Sequence, residues 1–321
     1  MGIGSIWANR HLALGTNMNR TRKSLHFIGL AFLFNWTLAG LFFLLRSETD
    51  SIGGRGMLIV YMFLPMVSAI IVQKFIYKES LKKPLGISFK FNRWFLVAWL
   101  LPPVMAFATF GVALLFPGVE YSPEMAGVFE RIQQSPLLTS EQLQQMGSQF
   151  SSFNVHPIWF FLSTWLIAGI TINTLFGFGE ELGWRGLLQR EFSYMGFWKS
   201  SAVIGVIWGI WHAPIVLLGF NYPNYPIIGL LMMTVLTLLL APIFGYIRIK
   251  AKSVIAASII HGSFNATAGL SILLLKGGSD LIVGVTGIAG FIVLMIVNLC
   301  IFFFEDSFRG KPLNATMEEV K

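Results

Sequence analysis

One cysteine, Cys300, stands in a chain of 321 residues, so no disulfide can form within it. Flanked by Leu299, Ile301, Phe302 and Phe303, its thiolate would be poorly solvated, and the residue is expected to face lipid or fill packing space. Charge is equally scarce: Asp, Glu, Lys and Arg make up 12% of residues against 55% hydrophobic, with a mean hydropathy of +0.69. That balance excludes a soluble domain of ordinary composition and makes lipid the main solvent. Three signatures of membrane proteases are also missing: the His-Glu-x2-His zinc motif, the Gly-x-Ser-Gly nucleophile loop and the Gly-x-Gly-Asp aspartyl motif. After the first loop the only aspartates are Asp280 and Asp306. No internal repeat is visible, which counts against the inverted halves of secondary transporters. No short apolar core with a small-residue cleavage site precedes the first long hydrophobic run, so that run is expected to persist as a span.

What the chain does have is hydrophobic stretches of about 20 residues, the length needed to cross roughly 30 Å of hydrocarbon. Spans are expected over Ser24–Leu45, Met57–Ile76, Trp94–Phe116, Pro157–Phe178, Ser200–Phe220, Ile227–Tyr246, Val254–Leu275 and Leu281–Phe304. The fold class is therefore an all-α polytopic bundle of about eight transmembrane helices, a multi-pass protein of the cell membrane. Residues 1–23 form a basic N-terminal arm, 24–304 a single transmembrane domain and 305–321 a short polar tail. The net charge of +8 resides in short connections, where it sets orientation and meets anionic lipid headgroups; it does not call for nucleic acid as a partner. Arg10, Arg20, Arg22 and Lys23 precede span one, and Lys74, Lys78, Lys82, Lys83, Lys90 and Arg93 follow span two. Arg185, Arg190 and Lys199 follow span four; Arg248, Lys250 and Lys252 follow span six. Every second connection is thus basic, which places both ends of the chain in the cytoplasm. The one long connection, 117–157, is expected on the outer side, either as a cap of short amphipathic helices or as a solvated link.

Ionisable side chains inside membrane helices cost several kcal/mol unless paired or hydrated, so they point to function. Three clusters qualify. Glu180, Glu181 and Arg185 lie at the cytoplasmic end of span four. Adjacent helical residues point about 100° apart, so the two glutamates are expected not to face the same neighbour. Glu181 and Arg185 have the i, i+4 spacing of an ion pair, which leaves Glu180 as the candidate base; alternatively the whole cluster is a charge patch at the membrane surface. In span five Trp208 and His212 share a face, His212 roughly 20 Å along the helix from Lys199. It is either functional or hydrogen-bonded to a neighbouring helix, and Pro214 loosens the backbone just beyond it. In span seven His261 and Asn265 share a face, as a site or as interhelical hydrogen-bonding groups. All three clusters lie at related depth and have reason to converge. A carboxylate beside an imidazole can take a proton from water, and a His/Asn pair can donate to a developing oxyanion, which is an apparatus for hydrolysing an acyl or peptide bond.

In this order on successive membrane helices, Glu-Glu-x3-Arg, aromatic-x3-His and His-x3-Asn resemble the CPBP family of intramembrane proteases. That family includes the type II CAAX prenyl endopeptidases and abortive-infection relatives. The resemblance covers about Pro157 to Leu275, the catalytic core at 157–275. It implies that Glu180 activates water with His212 and that His261 and Asn265 form the oxyanion site. Glu181, Arg185 and Trp208 take supporting roles, and the partner is a membrane-associated peptide or protein substrate within the lipid bilayer. No cofactor is expected, with zinc held by Glu180, His212 and His261 as the alternative. Two other functions remain open: a non-catalytic membrane binding, immunity or scaffold protein of the same fold, and a transporter.

Overall fold

The computed structural model describes residues 3–45, 52–125 and 156–305. The described residues fold into helices α1 (Ile3–Leu44), α2 (Ile52–Ile70), α3 (Arg93–Ala113), α4 (Pro157–Ile170) and α5 (Ile172–Glu181), then α6 (Phe197–Trp211), α7 (Ala213–Leu217), α8 (Pro226–Lys250), α9 (Val254–Thr267) and α10 (Ile288–Phe304). Two strands, β1 (Val119–Tyr121) and β2 (Leu275–Gly277), pair antiparallel with Val119 opposite Gly277. Large apolar side chains such as Phe75, Leu96, Val104, Ile167, Leu231 and Phe303 face outward. An exterior of this kind suits lipid and not water. Cys300 is exposed on the same surface, so of its two expected roles it takes the lipid-facing one.

Among the described residues four helices are long and apolar enough to cross a bilayer: Met18–Leu44, Gly56–Ile76, Arg93–Ala113 and Pro226–Ala251. A fifth crossing exists if α4 and the helical run Ile172–Glu191, bent by 42°, are taken together. The bend falls at Thr171, and three side chains accommodate it: Thr171 Oγ1 donates to Ile167 O at 2.7 Å, Thr174 Oγ1 to Gly169 O at 2.6 Å and Asn173 Nδ2 to Ala168 O at 3.4 Å. The carbonyls released by the break thereby keep partners away from water. Three expected spans are shorter than the sequence suggests. The span expected over Ser200–Phe220 breaks after Trp211, because Pro214 has no N–H for Ile210. The one expected over Val254–Leu275 ends as a helix at Thr267, tightens into a 3₁₀ turn over Ala268–Ser271 and enters β2. The one expected over Leu281–Phe304 becomes helical only at Ile288, after Gly284 takes a left-handed conformation (φ +84°). Span four errs the other way: helical backbone runs on past Phe178 to Glu191, through a π-helical stretch at Leu182–Leu188. Of the long connection, 126–155 lies outside the described residues, as does 306–321 of the tail.

The two ends of the bundle are distinct. At one, Lys23 pairs with Glu79 at 2.9 Å and with Glu191 at 3.5 Å, and Arg190 reaches Glu79 at 3.2 Å. At the same end Val254 N donates to Gly86 O, Ser253 Oγ to Ser88 O, Asn92 Nδ2 to Ala251 O, and Lys250 pairs with Glu305. The start of the α1 apolar stretch, the connections after α2, α5 and α8, and the end of α10 therefore meet. At the other end lie the β1–β2 pair, the bond of Tyr222 Oη to Thr286 O and that of Asn224 to Asp280. Glycines let the inner helices approach backbone to backbone. A Cβ on Gly262 of α9 would strike the backbone of Asn173 and Thr174, and one on Gly179 would lie 2.6 Å from Met62 O of α2.

Candidate active site

Glu180, Glu181 and Arg185 are 3%, 0% and 1% exposed. Helical backbone continues for eleven residues beyond Glu180, to Glu191, so Glu180 sits within the bundle and not at the end of its helix. Both facts overturn the reading of this cluster as a charge patch at the membrane surface. Arg185 Nη1 donates to Glu181 Oε1 at 2.8 Å, the i, i+4 pair expected from the spacing. The expectation that the two glutamates face different neighbours is corrected: both approach His261. Glu181 Oε1 lies 2.9 Å from Nδ1 and Glu180 Oε1 lies 4.0 Å from Nε2. An imidazole carries a nitrogen on each flank, so one ring inserted between two adjacent helical positions meets a carboxylate on either side.

Trp208 joins the clusters. Its indole N–H donates to Glu180 Oε2 at 2.8 Å, while its ring lies 5.5 Å from that of His261 and 5.7 Å from that of His212. The Arg185 guanidinium lies over the same indole at 4.5 Å and over Phe244 at 5.1 Å, a cation–π arrangement that fixes both partners. His212 forms the C-terminal cap of α6, with Nδ1 2.8 Å from Trp208 O. A carbonyl only accepts, so Nδ1 carries the proton and Nε2 is left to face other groups. The break that places His212 is held from outside, since Trp211 O accepts from Tyr61 Oη at 2.7 Å and from Trp36 Nε1 at 3.3 Å.

Glu180, Trp208, His212, His261 and Asn265 all line one cavity of about 260 Å³. Its remaining walls are mainly apolar, including Ile215, Met233, Leu236, Leu240 and Phe264. Asn265 is exposed at this cavity, and its amide has no hydrogen-bond partner among the described residues. Glu181 and Arg185 lie behind the cavity wall and reach it through His261 and Trp208. Among the described residues no three His, Cys, Asp or Glu side chains are grouped so as to hold a metal ion.

Several residues of the site escaped the sequence reading. Tyr61 lines the cavity and holds the α6 break, Asn35 donates to Tyr61 O at 2.7 Å, and Thr237, also in the lining, donates to Gly205 O at 2.9 Å. Each is a polar interruption in an apolar run, a signal as readable as His212 but carried by groups that do not ionise near neutral pH.

Residues 154–267, from just before α4 to the end of α9, match the family model described as type II CAAX prenyl endopeptidase Rce1-like. No curated protein matches the chain.

Proposed function

We propose that the chain, whose residues 154–267 match the type II CAAX prenyl endopeptidase Rce1-like model, is an intramembrane endopeptidase in which Glu180 activates water. The observation that carries this reading is the shared cavity: a carboxylate, two imidazoles and a free amide from α5, α6 and α9 converge on one pocket walled by apolar side chains. In the proposed step, water bound between Glu180 Oε1 and His212 Nε2 gives up a proton as its oxygen attacks the scissile carbonyl carbon. The tetrahedral oxyanion accepts from Asn265 Nδ2 and His261 Nε2. With Nδ1–H committed to Glu181, donation from Nε2 requires the His261 ring to hold a proton on each nitrogen. Glu180 then passes its proton to the amide nitrogen as the C–N bond breaks. Glu181, Arg185 and Trp208 act as positioning residues. The protein is read as crossing the cell membrane eight times with both ends cytoplasmic, which the meeting of alternate connections at the basic end supports.

The test is cleavage of a hydrophobic or prenylated peptide by purified protein. Glu180→Gln keeps the shape and the Trp208 contact but removes the base, and is expected to lower kcat by at least about 10²–10⁴ with an unchanged melting temperature. Cleavage by wild type is expected to persist in strong chelator. Undiminished cleavage by Glu180→Gln would show that Glu180 is not the base, whereas no cleavage by wild type together with a cellular phenotype that Glu180→Gln leaves unchanged would favour a binding protein of the same fold.

A further inference from the structure

The cavity has a direction. On α8 its lining runs from Met233 to Phe244 and on α9 from His261 to Ala268, beside Phe220 and Thr286. The catalytic set is at one extreme, and everything else extends away from the basic end of the bundle. Behind the set the core is closed. Trp184, Leu187, Leu188 and Ile247 are each 0% exposed, Gln189 Nε2 donates to Gly245 O at 3.1 Å, and the Lys23–Glu79–Arg190 ion pairs cover the helix ends beyond. Of the residues lining the cavity, only Phe220, Asn221 and Asn265 are exposed. Phe220 and Asn221 belong to the α7–α8 connection at the far end, and Asn265 lies one turn beyond His261 toward it.

We infer that substrate enters this site from the end of the bundle opposite the basic connections, and enters as an unwound apolar end or loop of a membrane-anchored peptide. The first part follows from where the lining is open and where the core is sealed. The second follows from hydrogen bonding. A carbonyl within a continuous helix already accepts from the N–H four residues on, so only an unwound peptide group has its carbonyl free for this site. Apolar side chains suit Ile215, Leu236, Leu240 and Phe264, while an unwound peptide group offers its carbonyl to Asn265 and His261. With the basic end in the cytoplasm, the substrate is presented from the outer half of the membrane. This inference rests on the peptidase reading for the word substrate, but the entrance can be measured without it.

Cys300 is the single native thiol, so replacing it by Ser gives a background for accessibility mapping. In that background Phe220→Cys reports the mouth, Leu240→Cys and Met233→Cys the interior, and Lys83→Cys the basic end. A small membrane-impermeant thiosulfonate is applied to right-side-out and to inside-out vesicles. Expected is reaction of the mouth and both interior positions from one side, and of Lys83→Cys from the other only. Modifying Phe220→Cys with a bulky maleimide is expected to slow peptide cleavage at least tenfold, with Lys83→Cys unaffected. Interior positions that react from the Lys83→Cys side, or from neither side, overturn the inferred entrance, and so does full cleavage by the blocked Phe220→Cys protein. If the labelling pattern holds while no cleavage depends on Glu180, the entrance stands and the peptidase reading falls.

Discussion

Arg185 illustrates how one side chain can tie a site together without touching its cavity. Its guanidinium is bonded to Glu181 and stacked on Trp208 and Phe244, so it reaches His261 through one partner and Glu180 through another. Removing one member of a buried ion pair leaves an uncompensated charge, which costs about 3–5 kcal/mol. Arg185→Met is therefore expected to lower stability by about that amount in detergent unfolding experiments. The double variant Arg185→Met, Glu181→Leu should recover part of the loss, because it leaves neither charge behind. A loss no greater than that of a surface substitution would show that the pair is not buried in the folded protein.

At the scale of helices, α5 is the central element, and its neighbours approach it through glycine. Gly262→Ala would drive a methyl group into the backbone at Asn173 and Thr174. It is expected to destabilise by about 1–3 kcal/mol, as overpacking does, and to lower cleavage because His261 is its chain neighbour; thermal unfolding in micelles and peptide turnover measure the two effects. This scale also separates what was legible in the sequence from what was not. The apolar runs and the Glu181–Arg185 spacing are one-dimensional patterns, and α2, α3, α8 and the ion pair follow them closely. Hydropathy does not register where a helix stops. The break after Trp211, the bend at Thr171 and the late start of α10 depend on proline, on hydroxyl groups that bond released carbonyls, and on glycines, each inside a run that reads as uniformly apolar. The helix-face argument placed Glu180 toward the interior but could not foresee an imidazole held by both glutamates, because that contact requires α9 to dock at one particular rotation.

For the molecule as a whole, the basic end behaves as a charged fastening on an apolar bundle. Partial burial acts to raise the Glu79 carboxyl, but the hydrogen bond and charge of Lys23, followed by those of Arg190, outweigh it and hold the group below its ordinary value. A carboxylate depressed in the folded state contributes stability that is fully present above its unfolded value of about 4.3 and is lost as pH falls through its folded value. Glu79 is 37% exposed, and solvent screening limits the contribution to below about 1 kcal/mol. Wild-type protein is thus expected to melt slightly higher than Glu79→Gln at pH 7, with the gap closing below about pH 4. A gap that widens on acidification would contradict the assigned sign.

The carbonyl of Trp211 takes its two hydrogen bonds from Tyr61 on α2 and Trp36 on α1, both outside the stretch 154–267 that carries the family likeness. A fragment cut to that stretch keeps both glutamates, both histidines and the asparagine, yet it loses the donors that seat His212. The residues proposed to react and the scaffold that seats one of them are thus written in separate parts of the chain, and a fragment cut to the shorter part is not expected to cleave peptide.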